Sequence, residues 1–283
     1  MQLGIVADEI DRDFAKAVRL GCQLGIRRYE VRYLNSGRAP MCDRSEMLAV
    51  ERCAAEQDIQ ITALSPGLFK YTDNAADFDR ELNDIYPRAA EWAKRWNLSG
   101  LIIFGFRKPG ATEENGDLIS SSEMPGQIVE WMSRAAERAA SDGLHLLIEP
   151  EPICWADTWS ATLTLLKTAG NKALKINYDP GNVAWVQRKD TLAEFDQLAP
   201  YISNVHVKDL AASPRGSGRP RFVIPGEGMI NYRAHFTALK QAGYCGPISL
   251  EPHMSGDLET ISRCKAACER IWGLSNGALK PAR

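Results

Sequence analysis

The sequence lacks the signatures of several protein classes. None of its seven cysteines belongs to a C-x-x-C pair, so a zinc knuckle and a redox dithiol are not indicated, and the odd number does not suit a closed disulfide framework. No apolar run approaches the roughly 18 residues of a membrane span. The N-terminal residues show no basic segment, apolar stretch and cleavage site of a secretory signal. We therefore expect reduced thiols, no membrane partner and a cytoplasmic location.

An excess of charge of either sign is also missing. The sequence has 34 Lys and Arg residues and 36 Asp and Glu residues, which gives a formal net charge of −2. A chain with this balance has no basic surface to neutralise a phosphate backbone, so a nucleic-acid partner is not expected. The glycine-rich loops G-x-G-x-x-G and G-x-x-x-x-G-K-[ST], which bind dinucleotides and nucleotide phosphates, are absent as well.

What the sequence contains is a regular alternation of short apolar runs and longer amphipathic stretches. The runs are rich in β-branched residues and typical of strands, whereas the stretches between them repeat apolar residues at three and four positions, as helices do. Eight such runs are centred near Leu3, Tyr29, Ile61, Ile102, Leu147, Ile176, Val205 and Ile248. No Pro/Gly/Ser-rich linker divides them. This order predicts a single (β/α)8 TIM barrel over residues 1–283 rather than a doubly wound sheet.

Four polar residues close or follow the last four predicted strands. Glu149 ends HLLIE, Asp179 follows LKINY, His206 lies within SNVHVKD, and Glu251 ends PISLE. They are spaced by about one βα unit each, with the last interval lengthened by the insert AASPRGSGRPRFVIPGEGM. Active sites of barrel enzymes are built at the carboxyl ends of the strands, so these side chains are expected at one rim.

The four residues form an oxygen-rich set without thiolate. Three carboxylates and one imidazole suit Mn²⁺, Mg²⁺ or Co²⁺, and they match Zn²⁺ less well than a Cys/His set does. Carboxylates held this close would repel each other strongly without a cation between them. The pattern predicts a divalent metal held by Glu149, Asp179, His206 and Glu251.

The motifs IEPE, NYDPGNV, NVHVKD, PGEG and ISLEPH, in this order and spacing, resemble the xylose isomerase-like TIM-barrel superfamily of sugar phosphate isomerases and epimerases. The resemblance covers essentially the whole chain and is strongest from Leu144 to His253. It implies a divalent metal, commonly Mn²⁺, on the four residues named above. It also implies that Glu149 and Glu251 act as catalytic residues that face opposite sides of the substrate and exchange its proton.

The sequence departs from the family pattern at one informative position. Where the family often has D-x-x-H after the sixth strand, this chain has Asn182, which we assign to substrate binding. A close match to the ketose 3-epimerases is weakened by this change. The related DNA-repair endonucleases with three zinc ions need more imidazoles than the four histidines present here.

Other polar and aromatic residues near strand ends are further candidates. Lys208 has the strand parity of His206 and could bind a substrate oxygen or stabilise a developing negative charge. His145 shares a face with Glu149, so we weigh a proton-transfer role against that of a core histidine. The remaining substrate-binding candidates, each with a structural alternative such as core packing or a surface ion pair, are Glu30, Arg107, Trp155, Glu227 and His253.

These features lead to three functional hypotheses. The first is a metal-dependent isomerase or epimerase of a sugar or keto-sugar, in which the cation stabilises the enediolate formed by proton abstraction next to a carbonyl. The alternative is a lyase on the same scaffold, either a dehydratase of inosose or dehydroshikimate type or a deglycosidase acting on a 3-keto-glycoside. The third is a non-catalytic sugar-binding subunit, which would predict a broken ligand set, whereas all four ligands are present. Each hypothesis expects a small polyhydroxylated partner, and the resemblance suggests a homodimer or tetramer while leaving a second subunit open.

Overall fold

Eight parallel strands form the centre of the structure. A computed structural model describes residues 3–119, 123–213 and 219–275, and in these residues we number the strands in chain order. The barrel strands are Leu3–Val6 (β1), Arg28–Val31 (β2), Gln60–Leu64 (β5), Gly100–Phe104 (β6), His145–Glu149 (β7), Leu174–Tyr178 (β8), Ile202–Val207 (β9) and Ile248–Leu250 (β12). Two short hairpins pair Tyr33–Leu34 (β3) with Gly37–Arg38 (β4), and Asp209–Ala211 (β10) with Arg221–Val223 (β11).

The strand order is that of a nearly closed barrel. Hydrogen bonds connect the strands in the order β5-β2-β1-β12-β9-β8-β7-β6, and the two outer strands, β5 and β6, lie against each other. The predicted (β/α)8 TIM barrel is therefore confirmed, and all eight predicted strands are present. Since β7, β8, β9 and β12 are neighbours and parallel, their carboxyl ends meet at one rim.

Helices surround the barrel and connect its strands. They are Phe14–Gln23 (α1), Arg44–Glu56 (α2), Ala75–Arg80 (α3), Tyr86–Arg95 (α4), Gly126–Ser141 (α5), Trp159–Ala169 (α6), Pro180–Gln187 (α7), Phe195–Leu198 (α8), Tyr232–Gln241 (α9) and Leu258–Leu274 (α10). A π-helical segment joins α3 to α4. Among the described residues, no helix is both long enough and apolar enough to cross a bilayer.

The apolar core lies between the barrel and this helical layer. Tyr178 of β8, for example, stacks on Trp159 of α6 with ring centroids 4.8 Å apart, and Phe78 of α3 stacks on Trp131 of α5 at 5.3 Å. Strands packed on both faces explain why the sequence shows continuous apolar runs rather than alternation. The polar residues at the strand ends are thus carried by a rigid frame.

One buried carboxylate anchors the loop that contains PGEG. Asp209 is the first residue of β10, two residues after the end of β9, and its side chain accepts hydrogen bonds from the backbone N–H groups of Leu210, Gly226, Gly228 and Ile230 at 2.8–3.2 Å. A Cβ added at Gly228 would lie 2.3 Å from Asp209 Oδ1, so only glycine allows this approach. The loop is therefore tied to the strand that bears His206.

We expect Asp209→Ala to lower the free energy of unfolding by about 3 kcal/mol, because it leaves backbone donors without a partner in a buried loop. Urea unfolding followed by circular dichroism measures this change. Glu227→Ala in the same loop is the control, since its exposed side chain should change stability by less than about 0.5 kcal/mol. Equal stability of the Asp209 variant and the control would contradict the anchoring role.

Candidate metal centre

Four side chains from adjacent strands meet at the carboxyl-end rim. Glu149 ends β7, Asp179 follows β8, His206 lies in β9, and Glu251 follows β12. All four are buried, and one donor atom of each lies within 4.8 Å of the others. The structure therefore brings together the four residues that the sequence assigned to a metal.

The imidazole of His206 has a different partner on each nitrogen. Its Nδ1 lies 3.1 Å from Glu251 Oε2 and 3.7 Å from both Glu149 Oε1 and Asp179 Oδ2. Its Nε2 lies 2.9 Å from Glu30 Oε2. A histidine that binds a metal through one nitrogen commonly has its other nitrogen held by a carboxylate, which fixes the ring orientation. Glu30, predicted to bind substrate, lies fully buried behind His206.

The donor set fits a divalent cation. Metal–ligand bonds of about 2.0–2.2 Å place opposite ligands roughly 4.2 Å apart, close to the 4.8 Å limit that encloses these four donor atoms. Three carboxylate oxygens and one imidazole nitrogen, without thiolate, are ligands that hard and borderline divalent metals accept. A divalent cation would therefore be held by Glu149, Asp179, His206 and Glu251.

The cluster is strongly charged in the protein alone. Burial by itself would lower the pKa of His206, but the carboxylates of Glu30, Glu251 and Glu149 raise this pKa well above its usual range. Burial would likewise raise the pKa of Asp179 and Glu251, yet the Lys208 ammonium holds both below their usual values. The carboxylates therefore keep the negative charge that attracts a cation.

Lys208 directly follows β9, and its side chain extends into this cluster. Its Nζ lies 2.7 Å from Asp179 Oδ2 and 2.5 Å from Glu251 Oε2. Gly181 makes room for the side chain, because a Cβ at that position would lie 2.5 Å from Lys208 Cγ. Arg32 also forms an ion pair with Glu251, so two cations hold this carboxylate.

Glu149 has neutral partners instead. Its Oε1 accepts a hydrogen bond from Asn182 Nδ2 at 3.1 Å, and its Oε2 accepts one from Asn177 Nδ2 at 3.0 Å. Asn182 Nδ2 also donates to the carbonyl oxygen of Pro150 at 2.8 Å. The residue that replaces the family histidine therefore positions Glu149.

A cavity of about 500 Å³ opens over the cluster. Five of the predicted site residues besides His206 line it: Glu149, Asn182, Lys208, Glu251 and His253. Its aromatic wall consists of Trp185, Phe222 and His253, with ring centroids 5.5 Å apart between the first two and 5.0 Å between the last two. Such a wall suits the C–H faces of a ring-shaped polyol.

The structure places four predicted residues away from this cavity. Arg107 forms an ion pair with Asp73, Trp155 is buried in the core, and the exposed side chain of Glu227 lies 3.8 Å from Arg263. His145 begins β7, four residues before Glu149, which at 3.3 Å per residue is about 13 Å along the barrel. This position below the metal centre favours the structural alternative over a proton-transfer role.

Sequence reasoning missed several residues that the structure adds to the site. Asn177 is one that a signal could have revealed, since an amide inside an apolar strand usually has a buried partner. The others come from loops after the second, third and seventh strands and give no comparable signal. They are Tyr33, Arg38, Ser65, Lys70 and Arg219.

Comparison with known proteins agrees with this architecture. A family model described as a xylose isomerase-like TIM barrel matches residues 17–269. The 3-dehydroshikimate dehydratase of Bacillus anthracis is 24% identical over 217 residues, and the match covers 68% of this chain and 72% of that protein. The inosose dehydratase of Geobacillus thermodenitrificans (strain NG80-2) is 24% identical over 152 residues, and the match covers 50% of this chain and 48% of that protein.

A solved structure shows the same fold over nearly the whole chain. The crystal structure of the IolI protein with a bound zinc atom superposes with a TM-score of 0.76 and 16% sequence identity. The match covers 98% of this chain and 100% of that one. At this identity the similarity supports the fold alone.

We expect the protein to bind one Mn²⁺ per chain, and Glu30→Gln to weaken that binding by about 10–100-fold, because the amide no longer orients His206 as the carboxylate does. Isothermal titration with Mn²⁺ measures the dissociation constant. Glu137→Gln is the matched control, because Glu137 is exposed on α5. Unchanged Mn²⁺ affinity in the Glu30 variant would contradict the arrangement described for His206.

Proposed function

The chain belongs to the xylose isomerase-like TIM-barrel family, and from this premise we propose that it is a divalent-metal-dependent lyase. The reaction is the elimination of water from a polyhydroxylated compound that carries a carbonyl group. The observation that carries this proposal is the difference between the two glutamates of the metal centre. Glu149 and Glu251 both lie near His206, but only Glu251 also forms ion pairs with Arg32 and Lys208.

Glu149 is the carboxylate suited to act as a base. Beyond His206, its oxygens accept hydrogen bonds from the amides of Asn177 and Asn182, which leave its negative charge in place. The oxygens of Glu251 bind the Arg32 guanidinium and the Lys208 ammonium instead. A general base must lie within hydrogen-bond reach of the proton it removes, and a carboxylate paired with cations accepts a proton less readily. One base and one cation-bound carboxylate suit elimination better than a symmetric exchange of a proton between two bases.

Glu149 and Lys208 have different roles in the proposed elimination. When bound, the cation supplies Lewis-acid polarisation of the substrate carbonyl. A carboxylate oxygen of Glu149 takes the proton from the carbon next to that carbonyl. The electron pair of the broken C–H bond forms the new C=C bond, and the C–O bond to the hydroxyl on the next carbon breaks. Lys208 Nζ, which lines the cavity, donates a proton to this oxygen, and it leaves as water.

The comparisons support elimination in a coarser way. Both curated relatives are named as dehydratases, one of 3-dehydroshikimate and one of inosose. Each name describes the loss of water from a cyclic ketone with several hydroxyl groups. The chain spans about half of the inosose dehydratase, so the similarity does not extend over the whole of that protein.

Isomerisation or epimerisation of a sugar or keto-sugar is the second candidate function. The observation in its favour is that Glu149 and Glu251 meet in one cluster, as two bases of an epimerase would. Proton removal is common to both reactions, which diverge only when the proton returns or a substituent leaves. A 3-keto-glycoside deglycosidase would use the same first step and expel a sugar oxygen.

The remaining attributes stay predictions from the sequence. We propose Mn²⁺ as the working metal, with Mg²⁺, Co²⁺ and Zn²⁺ as the alternatives. A cytoplasmic location and a homodimer or tetramer complete the proposal. A substrate of small, polyhydroxylated type matches the cavity of about 500 Å³.

We expect the Mn²⁺-loaded protein to convert 3-dehydroshikimate or inosose into an unsaturated product with loss of one water, as followed by mass spectrometry in deuterated water. Glu149→Gln should lower kcat by about 10²-fold or more, because the amide cannot accept the proton. The control variant Glu137→Gln should keep full activity. Solvent deuterium in an unchanged skeleton, without loss of water, would assign the protein to the isomerases, and full activity of the Glu149 variant would refute its role as base.

A further inference from the structure

The cavity contains a second polar site in addition to the metal centre. Arg38 lies in the β3–β4 hairpin that follows β2, and its side chain lines the cavity together with Tyr33, Ser65 and Phe104. The metal ligands come from β7, β8, β9 and β12, so the two sites are carried by different parts of the barrel. A substrate in this cavity can contact both.

The guanidinium of Arg38 is held in a fixed position. Its Nε donates to the carbonyl oxygen of Ser65 at 3.0 Å, Nη2 donates to Ser65 Oγ at 2.9 Å, and Nη1 donates to the hydroxyl of Tyr33 at 3.2 Å. The group also lies 4.9 Å from the ring centre of Tyr33 and 5.8 Å from that of Phe104. These contacts fix the side chain before any ligand arrives.

Gly67 provides the space for this arrangement. A Cβ at this position would lie 2.6 Å from Arg38 Nε, and the backbone has a φ of +81°, which side-chain-bearing residues rarely adopt. The loop after β5 therefore passes directly against the guanidinium. Backbone and side-chain groups of neighbouring loops thus surround the guanidinium.

Arg38 differs from the other cations of the cavity in its partners. Each of the others pairs with at least one carboxylate: Arg32 with Asp8 and Glu9, Lys70 with Glu151 and Glu113, Lys208 with Asp179 and Glu251, and Arg219 with Asp117. Within the part of the chain that the structure describes, the recorded hydrogen-bond partners of Arg38 are all neutral. Its positive charge is thus not balanced by a carboxylate in the cavity.

The donors that remain on Arg38 suit one kind of ligand. A guanidinium has five N–H donors, and three are used by Ser65 and Tyr33. One N–H therefore remains on each terminal nitrogen, which matches the two oxygens of a carboxylate. One unbalanced positive charge also matches the single negative charge of a carboxylate better than the double charge of a phosphate monoester.

We propose that Arg38 recognises a carboxylate of the substrate, so that the substrate is a polyhydroxylated keto acid. This inference rests on the proposed lyase function and names its substrate class. A molecule held by its carboxylate at Arg38 and by its carbonyl at the metal centre has one orientation in the cavity. The carboxylate selects acid-bearing rings of the dehydroshikimate type over neutral cyclitol ketones of the inosose type.

The test compares two probes that differ at one group, which is a charged carboxylate in the first and a neutral methyl ester in the second. Isothermal titration of the Mn²⁺-loaded protein with shikimate and with its methyl ester gives the ratio of their dissociation constants. We expect shikimate to bind about tenfold tighter or more, since hydrogen bonds between charged groups contribute that much. Arg38→Gln should bring the ratio close to one. Arg38→Lys should give an intermediate ratio, because it keeps the positive charge but loses the paired N–H donors of the guanidinium.

A matched control is available at Arg12. This residue also packs over the Tyr33 ring, at 5.1 Å from its centre, but it is exposed and absent from the cavity lining. Arg12→Gln removes the same charge and should keep the wild-type ratio. If circular dichroism shows that Arg38→Gln is unfolded, the ratio of dissociation constants measured for Arg38→Lys tests the proposal. An unchanged ratio in that variant contradicts the proposal.

Other outcomes overturn the inference directly. Equal binding of shikimate and its ester to the wild-type protein would show that no carboxylate is recognised, and a stronger preference for inositol monophosphate would assign the site to phosphate. Glu149→Gln separates this inference from the proposed lyase function, because a variant without turnover should still prefer shikimate to the ester. If the wild-type protein shows this preference but dehydrates none of the substrates, the lyase proposal is refuted and the carboxylate site stands.

Discussion

The central constraint on this molecule is the mutual repulsion of three carboxylates that converge on one imidazole. Glu149, Asp179 and Glu251 are buried beside His206, where water cannot screen their charges. The surrounding residues are arranged to hold them there. Glu30 fixes the far nitrogen of His206, and Lys208 lies between two of the carboxylates. The barrel supplies the rigidity, because each of these groups is carried by a strand or lies next to one.

The same neighbours give chemically similar residues different tasks. Neutral amides contact Glu149, whereas cations contact Glu251, and the Lys208 ammonium holds the pKa of Glu251 below its usual value despite burial. Arginines are divided in a comparable way. Arg32 is bound by three acidic side chains, but Arg38 is bound by a hydroxyl pair and a carbonyl and keeps its charge for a ligand. In this site, the charge of the groups that a glutamate or arginine contacts therefore indicates its function better than the residue type does.

Much of the fold and of the metal centre could be predicted from sequence, for a physical reason. Parallel strands in a barrel bring their carboxyl ends together, so a polar residue at the end of each late strand implies a shared site. Strand parity also places His145 on the face of Glu149 but at the start of β7, far from the rim. It did not reveal that Glu30 contacts the nitrogen of His206 that faces away from the other metal ligands. Arg38 escaped prediction because a hairpin arginine has the same sequence pattern whether it faces solvent or a cavity. Glu227 points outward because Asp209 binds the backbone of its loop.

The packing of Gly181 against Lys208 has an evolutionary consequence. Because a Cβ at position 181 would overlap the lysine stem, the glycine of D-P-G-N and the lysine of H-V-K form one steric arrangement, although the first lies in α7 and the second follows β9. A lineage that keeps this lysine at the cluster must keep the glycine, whereas a lineage that shortens or loses the lysine is free to add a side chain opposite it. The residues at positions 181 and 208 should therefore change together across homologues. The presence of both glycine and lysine would identify the barrels of this family that place an ammonium group beside their metal.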